Sequence, residues 1–266
     1  MSPRPRFTVV TPSLNQVAFV ERTIQSVLAQ RAEVDVEYLV YDAGSTDGTL
    51  EILQRHAEAG DLTLTVEPDR GQADAVNKGL RAATGDLVGF LNSDDLLLPG
   101  ALGRAAAALA AGQGATWVHG RCEVVDEHDR PIRRWVSAYK DRRCRRYRRE
   151  ALLVENFVSQ MTVFWRREAQ QQVGLLDPSL HYAFDYDYWL RLSALGAPAF
   201  VPEPQAAFRW YAGSKSGARF EEQFREDLAV FRRHAPRDDR WLALRKRLRT
   251  AQILAAYRLL RLAGRP

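Results

Sequence analysis

The stretch "GQADAVNKGLRAATGDLVGFLNSDD", Gly71 to Asp95, decides the predicted fold. Its first half has the composition and spacing of a helix, and "LVGFLNS" then forms an apolar run that is typical of a buried strand. The run stops on a polar group that ends with two adjacent carboxylates, Asp94 and Asp95. A helix that leads into a buried strand is the repeating unit of a sheet covered by helices.

The same unit recurs along the first hundred residues. "FTVVTP", "VEYLVYDAGS" and "LTLTVE" predict three further strands, and the apolar spacing in Val17 to Gln30 and in "TLEILQRHA" predicts helices between them. Asp47 or Ser45 is available to cap the second of these helices. The pattern therefore predicts an α/β fold with a mostly parallel, Rossmann-like sheet flanked by helices.

A polar loop follows each of the four predicted strands, in the order Thr11-Pro12-Ser13, Asp42-Ala43-Gly44-Ser45, Pro68-Asp69-Arg70-Gly71 and Asn92-Ser93-Asp94-Asp95. In an open parallel sheet, ligands bind beyond the carboxyl ends of the strands, so these loops are expected at one edge. Small residues let backbone N–H groups approach a ligand, and carboxylates accept hydrogen bonds from a base or a ribose. The predicted nucleotide-binding residues are Thr11, Pro12, Ser13, Asp42, Gly44, Asp69, Gly71, Asn92, Ser93 and Asp94.

The doublet of Asp94 and Asp95 has two interpretations. A polar turn after a strand commonly contains Asp, because its side chain bonds to the nearby backbone. Paired carboxylates at a strand end also suit a hard cation such as Mn²⁺ or Mg²⁺. Beside three other loops with ligand-binding chemistry, the doublet favours a metal held against the diphosphate of a nucleotide, with Asp94 and Asp95 as candidate ligands.

Composition and charge set limits on the class of protein. Of 266 residues, 46% are hydrophobic and 27% charged, which is typical of a folded soluble domain. The N-terminus lacks an apolar signal segment and no uncharged run is long enough for a membrane span, so a cytoplasmic location is expected. Cys122 and Cys144 have no CxxC or Cys/His spacing, which argues against a disulfide framework or a zinc site.

The net charge of +5 is unevenly distributed. Residues Pro131 to Glu150 carry +7, residues Trp241 to Pro266 carry another +7, and the remainder therefore carries −9. Basic patches of this kind attract phosphate in nucleic acid, in anionic lipid or in a pyrophosphate-bearing substrate, or they are simply solvated faces. We expect no nucleic-acid partner.

Four ordered motifs carry a resemblance to a known family. "TPSLNQVAFVERTIQSVLAQ", "EYLVYDAGSTDGTLEIL", "EPDRGQADAVNKGLRAATGDLVGFLNSDD" and "FDYDYWLRL" resemble the inverting glycosyltransferases of family 2, which have the GT-A fold. The resemblance runs from about Phe7 to about Ser216. It implies nucleotide contacts at Thr11, Pro12, Ser13 and Asp42 and around Asp69 and Gly71, and it aligns the DXD element of the family with Asn92-Ser93-Asp94.

Two positions depart from the family pattern around the metal. Asn92 stands where the family has the first Asp of DXD, so the resemblance favours Asp94 as the metal ligand, although the doublet also permits Asp95. Tyr211 stands where the family has a His, and a neutral Tyr is a poor ligand for magnesium or manganese. Ser214 and Lys215 are either a lid over the diphosphate or an ordinary exposed loop.

The resemblance also implies a catalytic base. Asp185 occupies the second position of the family's Glu-Asp pair, with Phe184 in place of the Glu, and helical spacing puts Asp185 near a helix start. An Asp there is also a common helix cap. Asp187 is the alternative base, and a pairing with Arg191 four residues later would make it structural.

The C-terminal segment is helical in its spacing. We divide the chain into a GT-A domain, residues 1–217, with a nucleotide-binding half of about 1–98 and an acceptor-side half of about 99–217, and a helical extension, residues 218–266. One face of the extension would consist of Trp241, Leu244, Leu248, Leu259 and Leu262 beside basic residues. Three roles are open for such a face: binding to an anionic membrane, packing on the catalytic domain, or contact with a second subunit.

The predicted activity is transfer of a sugar from a nucleotide-diphosphate sugar to a hydroxyl group with inversion. A UDP-sugar is the favoured donor, with GDP- or dTDP-sugars as alternatives, and the expected acceptor is a glycan or a lipid-linked glycan used in surface polysaccharide assembly. The metal-dependent enzyme would be cytoplasmic, with peripheral contact at the inner membrane face as an alternative. The other classes are a non-catalytic nucleotide- or glycan-binding module and an oxidoreductase, which the absence of GxGxxG in the first loop disfavours.

Overall fold

The computed structural model describes residues 4–112, 114–211, 213 and 220–262. The first half of the chain alternates strands and helices: β1 (Arg6–Ser13), α1 (Val20–Leu28), β2 (Asp35–Asp42), α2 (Thr49–Glu58), β3 (Thr63–Val66), α3 (Gln72–Ala82) and β4 (Leu87–Phe90). The second half contains β5 (Leu96–Leu97), α4 (Ala101–Ala111), β6 (Trp117–Val125), α5 (Arg134–Arg145), α6 (Arg149–Val154), β7 (Phe164–Arg166), α7 (Arg167–Val173), α8 (Phe184–Leu195), β8 (Ala199–Arg209), α9 (Phe220–His234) and α10 (Arg240–Leu262).

Within the described residues, the strands form one sheet in the order β3-β2-β1-β4-β7-β6-β8-β5. The first four predicted strands are parallel to one another, so the parallel half of the sheet is confirmed. The second half is mixed, because β7 runs antiparallel to both β4 and β6, and β5 runs antiparallel to β8. The helices cover an α/β sheet on both faces, as the first hundred residues predict.

The sheet separates two hydrophobic clusters. Val9 and Val40 belong to the cluster on one face, whereas Val10 and Val88 belong to the cluster on the other. Every residue of β4 is buried, which explains why its sequence is a continuous apolar run rather than an alternation. Burial on both faces fixes the position of β4 in the sheet, and therefore the position of the loop that follows it.

The first strand extends further than its sequence indicated. Thr11, Pro12 and Ser13 were expected to form a loop after β1, but they are its last three residues and pair with β2 up to Ser13 opposite Asp42. Asp42 is likewise the last residue of β2 and not part of a loop. Pro12 is tolerated because β4 pairs with β1 only as far as Val10, so the missing N–H removes no ladder bond on that side.

The two C-terminal helices pack against the preceding part of the chain. Val230 and Phe231 of α9 and Leu242 of α10 are buried in the cluster that contains Trp189. The predicted apolar face is not the packed face, because Trp241 and Leu244 are exposed while Leu242 is buried. The side chains of Leu259 and Leu262, which were assigned to the same face, lie outside the described residues. The division into 1–217 and 218–266 remains a prediction.

None of the described helices is both long enough and apolar enough to cross a bilayer.

Candidate active site

The loops that follow β1 and β2 are joined by hydrogen bonds. The backbone N–H of Asn15 donates to the Ser45 hydroxyl at 2.8 Å, and the side-chain oxygen of Asn15 accepts from the N–H of Thr46 at 2.9 Å. Asn15 has a φ of 53°, a left-handed conformation that Asn adopts more readily than most residues. The two loops therefore form one rigid edge beside the ends of their strands.

Asp42 organises the second loop. One of its carboxylate oxygens accepts the N–H groups of Gly44 and Ser45 at 2.9 and 2.7 Å, and the other accepts the Ser45 hydroxyl at 2.7 Å. The cap residue of α2 is Gly48, so neither Ser45 nor Asp47 is the cap that was predicted, although Asp47 accepts the N–H of Thr49 at 3.0 Å. Gly44 turns at a φ of 98°, which a residue with a Cβ would adopt only under strain.

The third loop is shaped by its own carboxylates and is linked to the fourth. Asp69 accepts the N–H of Gly71 at 2.8 Å, and Gly71 enters α3 at a φ of 116°. Asp74 accepts the N–H of Arg70 at 3.1 Å. The Gln72 side-chain amide donates to the Asn92 side-chain oxygen, so the start of α3 reaches the loop after β4.

The two adjacent carboxylates have different environments. Asp95 is fully buried; it accepts the backbone N–H of Arg209 on one oxygen and the Asn92 amide on the other, each at 3.1 Å. Asp94 accepts the Tyr211 hydroxyl at 2.9 Å on a single oxygen. Burial and the adjacent Asp94 raise the pKa of Asp95, and burial also raises the pKa of Asp94, although the Tyr211 hydrogen bond opposes that shift.

A buried arginine that sequence reasoning missed supports this loop. The Arg209 side chain is fully buried, and its guanidinium donates to the backbone carbonyl of Asp94 at 2.8 Å. The same guanidinium binds both carboxylate oxygens of Asp129, at 2.6 and 3.1 Å, and Arg22 donates to Asp129 at 2.6 Å. The charge of Arg209 is therefore paired, and the guanidinium holds the Asp94 backbone in place.

Tyr211 occupies the position beside Asp94 where the family has a His. Its ring lies against Phe19, with ring centroids 4.8 Å apart, and its hydroxyl donates to Asp94. Burial, followed by the Asp94 charge, raises the pKa of Tyr211, so the phenol stays protonated at neutral pH. Tyr211 is thus a hydrogen-bond donor to the candidate metal ligand. Ser214 and Lys215, the predicted lid, lie outside the described residues.

The residues present fit a divalent cation held mainly by its substrate. The described residues contain no group of three or more His, Cys, Asp or Glu side chains that could hold a metal by themselves. Asp95 uses both oxygens on protein donors, whereas one oxygen of Asp94 has no hydrogen-bond donor among the described residues. A cation bound here would draw its other ligands from a diphosphate and water, as Mg²⁺ commonly does beside phosphates.

Asp185 lies in the first turn of α8. The helix begins at Phe184 with Ala183 as its cap residue, so Asp185 is not the cap, although it accepts the N–H of Tyr186 at 2.6 Å. The ring of Phe184 lies 6.1 Å from that of Phe90, the last residue of β4. The start of α8 therefore packs against the strand that leads into Asn92 and Asp94.

Asp187 is held by structural partners. Arg191 donates to one of its oxygens at 3.0 Å, as the four-residue spacing suggested, and the other oxygen lies 2.8 Å from Nε2 of His234 on α9. Burial acts to raise the pKa of Asp187, but the His234 hydrogen bond and the Arg191 charge outweigh it and lower the pKa. The geometry favours a structural role for Asp187.

Glu226 on α9 fixes the segment before α8, and no sequence pattern pointed to this residue. Its carboxylate accepts the backbone N–H groups of His181, Tyr182 and Ala183 at 2.9, 2.7 and 2.9 Å. These donors directly precede the first turn of α8, where no helical carbonyl could pair with them. A glutamate from the C-terminal extension therefore sets the position of the residues that lead into Asp185.

A cavity of about 320 Å³ lies between the third loop and the segment before α8. Gly71 and Gln72 line one side, and His181, Tyr182 and Glu222 line the other. The cavity thus adjoins both the loop that reaches Asn92 and the segment that leads into Asp185. Asp94 and Asp185 themselves are not among the residues that line it.

The sequence of the chain matches one protein family. The profile described as Glycosyl transferase family 2 matches residues 8–172, more than half of the chain. The chain therefore belongs to glycosyltransferase family 2. Membership of this family favours glycosyl transfer over the oxidoreductase and over the non-catalytic module.

Individual relatives agree with this assignment. A PGL/p-HBAD biosynthesis glycosyltransferase of Mycobacterium bovis is 29% identical over 200 residues, which cover 74% of this chain and 72% of the relative. Several other curated relatives align over only 36% to 39% of their own length.

Solved structures confirm the predicted GT-A fold class. A mannosyltransferase from Pyrobaculum calidifontis, in complex with GDP-Man and Mn²⁺, has a TM-score of 0.65 and 21% identity, over 98% of this chain and 81% of that one. Glucosyl-3-phosphoglycerate synthase from Mycobacterium tuberculosis, in complex with Mn²⁺, UDP and glucosyl-3-phosphoglycerate, has a TM-score of 0.61 and 20% identity, over 88% of this chain and 82% of that one.

Proposed function

We propose that this protein is a metal-dependent inverting glycosyltransferase that uses a nucleotide-diphosphate sugar, with a UDP-sugar as the favoured donor. The observation that carries the proposal is the linked edge of the sheet. Asn15 joins the loops after β1 and β2, Gln72 joins the loops after β3 and β4, and Asp94 at this edge has one oxygen that no described residue engages. The start of α8, with Asp185, packs beside the same edge.

The donor half of the site would bind the nucleotide through the predicted loop residues. Ser13 supports this role, since its buried hydroxyl has no hydrogen-bond partner in the part of the chain that the structure describes. Asp42 would act mainly by holding Gly44 and Ser45 in the loop conformation that contacts the nucleotide. Asp94 would hold Mn²⁺ or Mg²⁺, which supplies positive charge that stabilises the departing diphosphate. Bound Mn²⁺ in two similar structures, with GDP-Man in one and UDP in the other, supports this assignment.

The acceptor half would use Asp185 as the general base. Its carboxylate would take the proton of the acceptor hydroxyl as that oxygen forms a bond to the anomeric carbon. The bond from the anomeric carbon to the diphosphate breaks on the opposite face, so the configuration inverts. Asp187 is the weaker candidate because Arg191 and His234 occupy its carboxylate.

The acceptor class follows from relatives rather than from the cavity. The Mycobacterium bovis relative is named for PGL/p-HBAD biosynthesis, and another relative, from Bacillus subtilis, is a putative teichuronic acid biosynthesis glycosyltransferase. We therefore favour a glycan or a lipid-linked glycan as the acceptor, in the cytoplasm and at the inner face of the membrane. The cavity beside Gly71 and His181 is where its hydroxyl would enter.

A donor panel tests the proposal directly. UDP-, GDP- and dTDP-sugars are incubated with the enzyme and Mn²⁺, and release of free nucleoside diphosphate is measured together with the anomeric configuration of the product. We expect one nucleotide class to be used, inversion, and loss of activity on chelation. Retention of configuration, or turnover that is unchanged by a chelator, would contradict the corresponding part of the proposal.

A further inference from the structure

The outer surface of the α9–α10 hairpin combines exposed apolar side chains with unpaired arginines. On α10, Trp241, Leu244 and Leu248 are 77%, 44% and 55% exposed. Their spacing of three and four residues puts them on one face of the helix. Large apolar groups that remain exposed in a row are unusual on a soluble surface and mark a region that contacts another phase or molecule.

This apolar row has arginines on both sides. At 3.6 residues per turn, Arg240 and Arg247 lie along one side of it and Arg245 along the other. Within the described part of the chain, none of these three guanidinium groups has an ion-pair or hydrogen-bond partner. From Arg240 to Leu262 the sequence contains no Asp or Glu, so the helix has no acid of its own to neutralise them.

A basic cavity adjoins the row. It has a volume of about 340 Å³ and is lined by Arg232 and Arg237 as well as by Arg240 and Arg247, over an apolar floor that includes Phe231. The acid at its rim, Asp239, is engaged in capping α10, because it accepts the N–H of Leu242 at 2.8 Å. Four cations around an apolar floor suit an anionic group that is attached to a hydrocarbon chain.

The opposite face of α10 is fixed to the protein, so the outer face cannot simply turn inward. Lys246 is buried and forms an ion pair with Asp227 of α9, and it lies 5.0 Å above the ring of Tyr186. Arg249 donates to Glu155 at 2.9 Å. These contacts hold the helix flat against the domain and leave Trp241, Leu244 and Leu248 facing outward.

We infer that the outer face of the α9–α10 hairpin docks on the surface of an anionic membrane. The three apolar side chains would enter the boundary between headgroups and acyl chains, while the arginines bind lipid phosphate. A soluble phosphate as the ligand would account for the arginines but not for the row of exposed apolar side chains. A second copy of the same face would bring like charges together, which disfavours a symmetric dimer there. Docking would keep the enzyme at the surface where a lipid-linked acceptor, part of the proposed function, is found.

Vesicle co-sedimentation tests this surface without any sugar substrate, so its outcome is separate from that of the proposed activity. Vesicles of phosphatidylcholine alone are compared with vesicles that also contain phosphatidylglycerol. We expect binding only to the anionic vesicles, with a loss at high salt, because exposed charges are screened. Equal binding to both kinds of vesicle, or binding to neither, overturns the inference.

Matched variants separate the apolar and the charged contributions. Arg240→Gln with Arg247→Gln should weaken binding on the order of tenfold or more, and Leu244→Ser with Leu248→Ser should weaken it similarly. Arg81→Gln, an exposed arginine on α3, is the control and should bind like the unaltered protein. Because all these side chains are exposed, thermal melts should be unchanged. Undiminished binding by either double variant overturns the inference.

Two further measurements exclude the other occupants. Glycerol phosphate at a concentration matched to the lipid headgroups should not displace the protein from vesicles; full displacement would reveal a site for soluble phosphate and overturn the inference. Sedimentation velocity should give the same mass for the unaltered protein and for Leu244→Ser with Leu248→Ser. A dimer that this double variant abolishes would assign the face to a second copy instead.

Discussion

The donor edge and the start of α8 are held in place by different kinds of contact. At the donor edge, Asp42 bonds to residues two and three positions later, and Asp69 bonds to the residue two positions later. The segment before Asp185 is fixed by Glu226, from 43 to 45 residues further along the chain. The second and third donor loops are therefore shaped by short local turns, whereas the segment before the predicted base is positioned by the C-terminal extension.

This difference has a consequence for variants. Changes at the donor edge should act on nucleotide and metal affinity, because that edge is organised independently of α9. Changes on α9 that touch the segment before α8 should act on turnover and leave donor affinity intact. The following four predictions test that separation, from the largest expected effect to the smallest.

Asp185→Asn should lower turnover about 100-fold or more, the scale expected when a general base is lost, with donor affinity nearly unchanged. Asn keeps the size of the side chain and can still accept the N–H of Tyr186, so the helix start should survive. Turnover at saturating donor and acceptor, measured beside donor affinity, separates the two effects. Asp187→Asn is the control. Normal turnover in Asp185→Asn together with a collapse of turnover in Asp187→Asn would assign the base to Asp187, two residues later.

Asp94→Ala should weaken the Mn²⁺-dependent part of UDP or GDP affinity on the order of tenfold or more, by analogy with losses at metal sites. Asp95→Ala is its matched partner and should instead lower the free energy of unfolding by roughly 1–3 kcal/mol, because it leaves the Arg209 N–H and the Asn92 amide without their acceptor. Calorimetric titration of the nucleotide with and without Mn²⁺ measures the affinity of Asp94→Ala. Denaturant unfolding measures the stability of Asp95→Ala. The reverse pattern would assign the metal to Asp95.

Glu226→Ala should lower turnover by roughly tenfold, since small misplacements of a catalytic group are costly, while donor affinity stays unchanged. Glu226 is a positioning residue, because it touches the backbone before α8 and not the reacting atoms. Glu226→Gln retains one acceptor oxygen and should recover part of the lost turnover at unchanged donor affinity. A parallel loss of donor affinity in Glu226→Ala would show that the two halves of the site are not independent.

The smallest effect concerns acid stability at Asp187. Its pKa is lowered in the folded protein, so the stability that it contributes is present above the pKa of the unfolded carboxyl, about 3.9, and is lost as pH falls through the folded pKa. Asp187→Asn should remove this pH dependence below about pH 4. Melting temperatures across that range, compared with the unaltered protein, measure it; an identical acid dependence in the variant would contradict the ion-pair role.

The local features of the site were readable from the sequence, with corrections at the strand ends. The order of strands and helices to Asp95 was correct, because each unit carries its own apolar spacing and turn residues. The lengths of β1 and β2 were underestimated, since pairing to a neighbouring strand extends a strand past its apolar run as far as Ser13 and Asp42. The family resemblance, and not the spacing, suggested Asp185.

The contacts that join distant residues could not be read in this way. Arg209 and Asp129 are 80 positions apart, and neither has a local pattern that would suggest a buried ion pair behind Asp94. Glu226 sits in an ordinary charged helix, and only the fold brings it to the N–H groups of residues 181–183. Which face of α10 packs was also decided by the fold, since Leu242 and the ion pair of Lys246 with Asp227 are buried while Trp241 is exposed.

The sequence by itself determined the α/β alternation, the strand-end loops, the acidic doublet and the family, because these depend on residue spacing and on turn chemistry over a few positions. Only the tertiary structure decided how the partners of the doublet differ, with Asp95 bonded to Arg209 and Asp94 bonded to Tyr211, and how the C-terminal extension braces the segment before Asp185. The physical reason is that buried polar groups must find partners wherever the folded chain provides them, and those partners lie far away in sequence.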